Sequence, residues 1–431
     1  MSKPVNIGLI GFGNIGTGVI RTMNMNRDHI NRNLARPIRI ARIADIDLKT
    51  KRPVKYDKRI LTDDTMGVLN DPEIDIVIEL IGGTTMARNV VETALKNGKH
   101  VVTANKALLS HYGASLLSLA EKKGALLLFE AAVGAGIPVI RSLTSSFASN
   151  RIQAIRGILN GTTNFILTSM EEQGRDFSDV LEEAQKRGYA EPDPTFDVEG
   201  FDTAHKISIL ASLAFSQDIR LKSVFVRGIT LVQKEDLANA REMGYTVKLL
   251  GIAKRDEKEN VEVRVHPTLI PRTSTLAAVR GVYNAIEIEG DPMGPQMLYG
   301  QGAGWGSTAS AVLGDAIEIA RQIANGSPLP PCCRIEKGKK QIRPMENLET
   351  AYYIRMTLKD VPGTLARVSN VFGREKISIK SVLQKTSDPG RYATTIFITH
   401  LAREGNIQKA LKLMKQKKLC KGKPFVLRVE E

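Results

Sequence analysis

At 431 residues the chain is too long for a single core and is read as two or three domains. Its hydrophobic fraction of 42% and charged fraction of 25% are ordinary for a globular protein, so disorder is not the expectation. A formal charge of +15 admits a polyanionic partner, but only 5% of residues are aromatic and no Arg/Lys stripe is interleaved with stacking rings. Nucleic acid is therefore not the expected partner, and a basic surface that attracts phosphorylated small molecules accounts for the charge equally well.

The N-terminus enters a strand at once. Val5–Ile10 is an apolar run of the kind a parallel sheet buries, and the residues before it do not read as a signal or transit segment, so none is expected. Gly11-Phe12-Gly13-Asn14-Ile15-Gly16 follows, and the residues after Gly16 have helical character. Glycines at that spacing turn tightly and let backbone N–H groups approach a pyrophosphate at a helix N-terminus. Further strands are expected at 38–45, 74–80, 100–105 and 125–131, separated by helices. That alternation predicts a Rossmann-type, doubly wound parallel sheet over residues 1–137. Asp45 and Asp47 lie near the end of the second strand, where an acid accepts hydrogen bonds from the adenosine ribose of NAD. Lys49, Lys51 and Arg52 follow directly and could hold a 2′-phosphate instead, so the cofactor reads as NAD(P).

The stretch GYAEPDPTFDVEG (188–200) carries glycines and prolines that keep it out of regular structure, and FDTAHKISILASLAF then begins a helix. Asp202 and Lys206 are four apart and share one helix face. Exposed, such a pair contributes roughly 0.3–0.5 kcal/mol and means little; in a cleft it is chemistry. The run Ala184, Gly188, Tyr189, Ala190, Asp193, Pro194, Asp197, Gly200, Asp202, Lys206 resembles the signature segment of homoserine dehydrogenases. TANKALLS (103–110) resembles that family's strand-end loop with a lysine near the nicotinamide. EAAVGAGIP (130–138) resembles its monovalent-cation loop, and GILNGTTNFIL (157–167) its substrate-domain strand and loop. GAGWGSTASAV (302–312) resembles the glycine turn and helix that return to the cofactor domain, with one departure: Ser307 stands where a proline is expected, close to Trp305.

The resemblance implies interconversion of L-homoserine and L-aspartate 4-semialdehyde with NAD(P), within threonine, methionine and isoleucine biosynthesis. Hydride transfer to an aldehyde carbon builds negative charge on its oxygen, and a nearby lysine ammonium can protonate or stabilise it. Lys206 is the first candidate for that acid/base work and Lys106 the second; the family mechanism leaves the choice open. Glu191 and Asp202 suit the substrate's α-ammonium. Asp197 either orients Lys206 or binds substrate. Gly161 and Thr162 offer donors for the α-carboxylate, and Gly302 returns to the cofactor. His205 adjoins Lys206, but adjacent helical residues point about 100° apart, so it is read as structural. The cation loop implies Glu130, Val133, Ala135 and Ile137 as ligands of Na⁺ or K⁺, largely through backbone carbonyls.

From 138 to 300 longer helices (163–187, 200–216) alternate with β-rich stretches, fitting an α+β substrate domain that also pairs subunits in the resembled family. A homodimer or homotetramer is therefore expected. An amphipathic helix over 307–326, with Ala311, Val312, Ile317, Ile319 and Ala320 inside, completes the cofactor domain (301–326), and a linker rich in proline and lysine occupies 327–348. Residues 349–431 read as βαββαβ and resemble an ACT domain, a module that binds amino acids; Asp360, Gly363 and Asn370 are its candidate contacts and L-threonine its implied effector. A semialdehyde dehydrogenase that oxidises to an acyl product needs a nucleophilic cysteine. The cysteines are Cys332, Cys333 and Cys420, all outside the catalytic region, and they form neither a disulfide framework nor a metal-ligand spacing. The remaining alternative, a non-catalytic amino-acid sensor on the same fold, is opposed by Lys106, Asp202 and Lys206 standing together. With apolar runs too short to cross a bilayer, the chain reads as a cytoplasmic protein.

Overall fold

The computed structural model describes residues 3–326, 335, 342–385 and 392–431. Cys332, Cys333 and most of the expected linker lie outside the described residues. The chain divides into two compact units: Met1–Gly161 with Asp202–Val224 and Val282–Lys340, and Thr162–Phe201 with Phe225–Gly281 and Gln341–Glu431.

The first unit holds a six-stranded sheet of β1 (Val5–Ile10), β2 (Ile38–Ala44), β3 (Leu61–Thr62), β4 (Ile76–Glu79), β5 (His100–Thr103) and β6 (Leu127–Leu128). Every pairing is parallel and the order is β3-β2-β1-β4-β5-β6, the doubly wound arrangement with its switch point between β1 and β4. β1 and β4 are buried along their whole length, which is why they read as continuous apolar runs rather than alternating ones. The polar stretch after the first helix, Asn14–Met25, folds as a second short helix, Arg27–Arg32.

The late helix runs over Trp305–Asn325 and stops at Gly326, whose left-handed φ of 63° suits glycine. Its buried apolar side chains are Ala309, Val312, Leu313, Ala316, Ile319 and Ala320, packed in one core with Val19, Ile20 and Met23 of Asn14–Met25. Ala311 and Ile317, expected inside, are only partly buried at the border of that core. Strands Arg151–Ile158, Tyr283–Asp291 and Gly294–Gln301 form an antiparallel array in the same unit. The helix Phe201–Ala214 is buried on all sides from Asp202 to Leu213; beyond Lys206 it is mostly apolar, while its first turns bury Asp202, Thr203, His205 and Lys206.

The second unit contains the hairpin Tyr245–Arg255/Val261–Pro271, the helices Phe177–Lys186 and Lys234–Glu242, and the C-terminal module. The expected single helix over 163–187 is two, Gly161–Gln173 and Phe177–Lys186, because the chain turns at Gly174 with φ 65°. One helical turn, Thr195–Val198, interrupts the stretch expected to be irregular, directly after Pro194. The C-terminal module follows the expected βαββαβ order, with strands Tyr352–Lys359, Ile379–Lys385, Tyr392–Thr399 and Cys420–Val429 and helices Thr364–Arg374 and Glu404–Gln416 over a core of its own. Its last strand also pairs in parallel with Val261–Pro271, Thr268 opposite Arg428 and Leu269 opposite Val429, so its sheet continues that of the hairpin. Among the described residues no helix is long and apolar enough to cross a membrane.

Glu79, at the end of β4, is fully buried; it accepts hydrogen bonds from the Ile81 N–H at 2.8 Å and the Thr103 hydroxyl at 2.6 Å. Burial pushes its carboxyl up to about 7 against those bonds. A carboxyl raised in the folded state contributes stability that is complete below the unfolded pKa and lost as pH rises through the folded one. Glu79 should therefore make unfolding easier by about 1 kcal/mol at pH 8 than at pH 6. Denaturant melts of Glu79→Gln should show that part of the slope removed; an unchanged slope would assign it elsewhere.

Candidate active site

The glycine loop after β1 has the geometry its spacing requires. Gly11 has φ 99°, and a Cβ at Gly16 would lie 2.2 Å from the Gly11 carbonyl oxygen. Nothing lies within 4 Å of where a Cβ of Gly13 would be, and no side chain caps the helix Asn14–Met25, so its first N–H groups can serve a phosphate. Beside the loop is a cavity of about 320 Å³ lined by Phe12, Gly13, Asn14, Thr17, Arg21, Asp47, Thr50, Lys51, Arg52 and Trp305.

Asp45 does not line that cavity. Its carboxylate turns inward, accepting from the N–H of Phe12 and, at 2.8 Å, from that of Asp47. The Arg52 guanidinium lies over the Phe12 ring, 5.0 Å from its centroid, and donates to the Phe12 and Thr50 carbonyls. Asp47 is held well down, to about 2, by the Thr50 hydroxyl and the N–H groups of Thr50 and Lys49. Lys49 and Lys51 are exposed, and Lys51 reaches the cavity. The wall opposite is one the sequence reading missed: Arg21 stacks 4.8 Å over the Trp305 ring, which in turn packs on Gly18.

The second group of residues converges on Asp202. Its Oδ1 meets the Lys106 Nζ at 2.7 Å; its Oδ2 accepts from the Lys206 Nζ at 2.7 Å and from the Asn160 amide at 2.9 Å. Lys206 also donates to the Leu159 carbonyl at 2.7 Å. The i,i+4 pair is thus buried, not a surface pair: the Asp202 side chain is 4% exposed and that of Lys206 11%, while Lys106 stays open at 35%. Burial alone would raise the Asp202 carboxyl, but Lys206, Lys106 and Asn160 hold it well below the carboxylate range. It is an anion at any working pH, facing two ammonium groups.

Lys106 is the first residue of the helix Lys106–Lys123, and Asn105 fixes it there. The Asn105 side chain caps the helix by accepting from the Leu108 N–H at 3.0 Å and donates to the Ile81 and Gly83 carbonyls of the loop after β4. Asn160 and Asn105 were both missed, although each adjoins a residue that was singled out. Gly302 follows the strand Gly294–Gln301, and a Cβ there would overlap the Asn284 amide at 2.1 Å. Ser307, the departure from the family pattern, uses its hydroxyl: it accepts from the Gly136 N–H at 2.8 Å and donates to the Gln301 carbonyl at 2.9 Å. In Glu130–Ile137 the carboxylate of Glu130 is taken by the N–H groups of Ile140 and Arg141, both at 2.8 Å, while Gly134 and Ala135 adopt left-handed backbone.

The remaining candidates belong to the second unit. Thr162 donates its hydroxyl to the Tyr189 carbonyl at 2.6 Å, Glu191 is exposed, and Asp197 lies half-buried in the turn Thr195–Val198. In the C-terminal module Asp360 accepts from the Gln384 amide at 3.1 Å, Gly363 starts the helix Thr364–Arg374 with φ 84°, and Asn370 is exposed along it.

Comparison with known proteins agrees with this geometry. Residues 11–130 match the family model for the NAD-binding domain of homoserine dehydrogenase, 138–317 that for homoserine dehydrogenase itself, and 352–418 that for the ACT domain. A homoserine dehydrogenase of Neisseria gonorrhoeae is 42% identical over 413 residues, 95% of this chain and 94% of that one. The chain belongs to the homoserine dehydrogenase family. It is accordingly an oxidoreductase with an NAD-binding domain and an ACT domain. A solved homoserine dehydrogenase of Thiobacillus denitrificans superposes with a TM-score of 0.91 at 40% identity, covering 100% of this chain and 99% of its own. A hyperthermophilic archaeal homoserine dehydrogenase solved with NADPH gives 0.63 at 25% identity, covering 75% of this chain and 99% of its own.

Proposed function

We propose that this homoserine dehydrogenase reduces L-aspartate 4-semialdehyde and oxidises L-homoserine at the Asp202 cluster, with NADP(H) preferred. The observation that carries the reading is the single buried carboxylate holding two lysine ammoniums within 2.7 Å. When bound, with its pyrophosphate on the Gly11–Gly16 loop and the start of Asn14–Met25, the nicotinamide would provide the hydride for the aldehyde carbon and accept it in the reverse direction. As the C=O electron pair moves onto oxygen, the more open Lys106 gives that oxygen a proton, and the oxidation runs the same transfer in reverse. Lys206, with donors fixed on Leu159 and Asp202, stabilises the developing charge. Glu191 and Asp202 remain candidates for the α-ammonium, Asp197 for binding substrate, and Gly161 and Thr162 for the α-carboxylate. A monovalent cation at Glu130–Ile137 would be met by the carbonyls of Glu130, Val133, Ala135 and Ile137, since the Glu130 carboxylate is already engaged. L-Threonine at Asp360, Gly363 and Asn370 would make the ACT domain a feedback sensor. The exposed Met297 and Tyr299 on the strand Gly294–Gln301 favour assembly into at least a dimer.

The preference for NADP rests on Arg21, Lys51 and Arg52 around the cavity, on the inward turn of Asp45, and on the NADPH complex of the archaeal relative. Initial rates with L-homoserine and each cofactor test it. The wild-type chain should favour NADP⁺, and Lys51→Glu should lose roughly 10-fold or more of that preference, the worth of one charge-assisted phosphate contact. An unchanged NADP⁺/NAD⁺ ratio in the variant would remove Lys51 from the phosphate site.

A further inference from the structure

The two helices that carry the lysines are joined a second time, one turn deeper than the Asp202 contact. Ser110 stands four residues after Lys106 on Lys106–Lys123, and His205 three after Asp202 on Phe201–Ala214, so each shares a face with its active-site neighbour. The Ser110 Oγ lies 2.6 Å from the His205 Nδ1, and both residues are buried, 9% and 6% exposed. A hydroxyl has one proton, and the Ser110 Oγ has the Ala107 carbonyl 3.1 Å away as acceptor. With that proton on Ala107, the imidazole donates its Nδ1–H to Ser110. The His111 ring lies 5.6 Å from that of His205 and makes its own bond to Ala107. Burial first, then His111 and Lys106, push His205 down to about 4, so the ring stays neutral in the working range.

We infer that the Ser110–His205 hydrogen bond is a positioning element for the reaction, holding the Lys106 helix in register with the Asp202 helix so that the ammonium and carboxylate meet at 2.7 Å. Neither side chain touches the reacting atoms in this scheme; they act through Lys106. The inference rests on the proposed role of the Asp202 cluster. A helix start is a lever: Lys106 is anchored on one side by Asn105, and a rotation of its helix by a fraction of an ångström would lengthen the contact to Asp202. Misplacement of a catalytic group by about 1 Å costs on the order of 100-fold.

The test compares Ser110→Ala, His205→Phe, His205→Asn and the double variant Ser110→Ala/His205→Phe in the full-length chain. Turnover is expressed per NADPH-binding site from a fluorescence titration, which removes any loss due to unfolded protein. Ser110→Ala and His205→Phe should each lower kcat roughly 10- to 100-fold, with KM for L-homoserine and Kd for NADPH within about twofold and the double variant no worse than the poorer single. His205→Asn, which places an amide near the Nδ1 position, should recover most of the loss. Singles with kcat within about twofold of wild type, or a loss carried entirely by fewer binding sites, would overturn the inference. Lys106→Ala separates this from failure of the catalytic reading. If Lys106→Ala loses turnover and Ser110→Ala does not, only the positioning role falls; if Lys106→Ala keeps turnover, the catalytic reading falls first.

Discussion

Asp202→Ala should lower turnover by roughly three orders of magnitude while leaving NADPH binding nearly intact. The carboxylate holds Lys106 with one oxygen and Lys206 with the other, and Asn160 adds a third bond. Without it two ammonium groups face each other in a buried site, and their repulsion drives one to turn away or give up its proton. Loss of charge stabilisation alone costs roughly 100- to 1,000-fold, and the loss of positioning overlaps with it because both act through the same two lysines. Removing one member of a buried ion cluster also costs about 3–5 kcal/mol of stability, so Asp202→Asn, which keeps the shape and whose amide oxygen can still accept from Lys206 and Asn160, serves as the folded comparison. Steady-state kcat from nicotinamide absorbance, set against NADPH affinity from fluorescence, checks both. A kcat within about tenfold of wild type in either variant would mean that the cluster is structural.

Deleting residues 349–431 should do more than remove an effector response: it should strongly destabilise what is left. Three kinds of contact within the second unit are cut. The strand Val261–Pro271 loses its parallel partner, including the Glu430 N–H to the Leu269 carbonyl at 2.9 Å. Arg264, buried beside Glu262, loses Glu430 at 2.8 Å, which also pairs with Lys254. Asp236, fully buried, loses the Tyr353 hydroxyl and the Arg355 guanidinium, both at 2.7 Å. Asp236 stripped of both partners costs about 3–5 kcal/mol; with Arg264 left to Glu262 alone and the strand pairing gone, the loss is a large part of the stability of an ordinary domain, about 5–15 kcal/mol. An exposed strand edge adds a route to aggregation. Thermal unfolding followed by circular dichroism should show a large fall in Tm or insoluble protein; an unchanged Tm would mean that the shared sheet carries no energetic coupling.

These contacts mark where sequence reasoning stops. The glycine loop, the strand alternation and the βαββαβ tail were legible because each is a local pattern: apolar runs of strand length, glycines at phosphate-binding spacing, and amphipathic helices between them. The pairing of Asp202 with Lys206 was legible from helical spacing, but not its burial, because Lys106 and Asn160 come from distant segments that only the fold brings to the same carboxylate. Asp45 fell at the expected end of β2, yet the direction of its carboxylate is set by the Phe12 N–H, which no spacing records. The break at Gly174 could have been read, since a glycine followed by Asp176 is a stop and a start. The ion pairs joining the C-terminal module to Val261–Pro271 could not, because charged residues in strands read as solvated faces until their partners are known.

The most direct test of the central claim is the absorbance of reduced nicotinamide when purified protein meets L-homoserine with NADP⁺, run beside Lys206→Ala at equal concentration of NADPH-binding sites. The wild-type chain should generate NADPH steadily, faster than it generates NADH from NAD⁺, and Lys206→Ala should fall by at least roughly 100-fold. Folded protein that binds NADPH but gives no turnover with either cofactor, or a Lys206→Ala variant as fast as wild type, would contradict it.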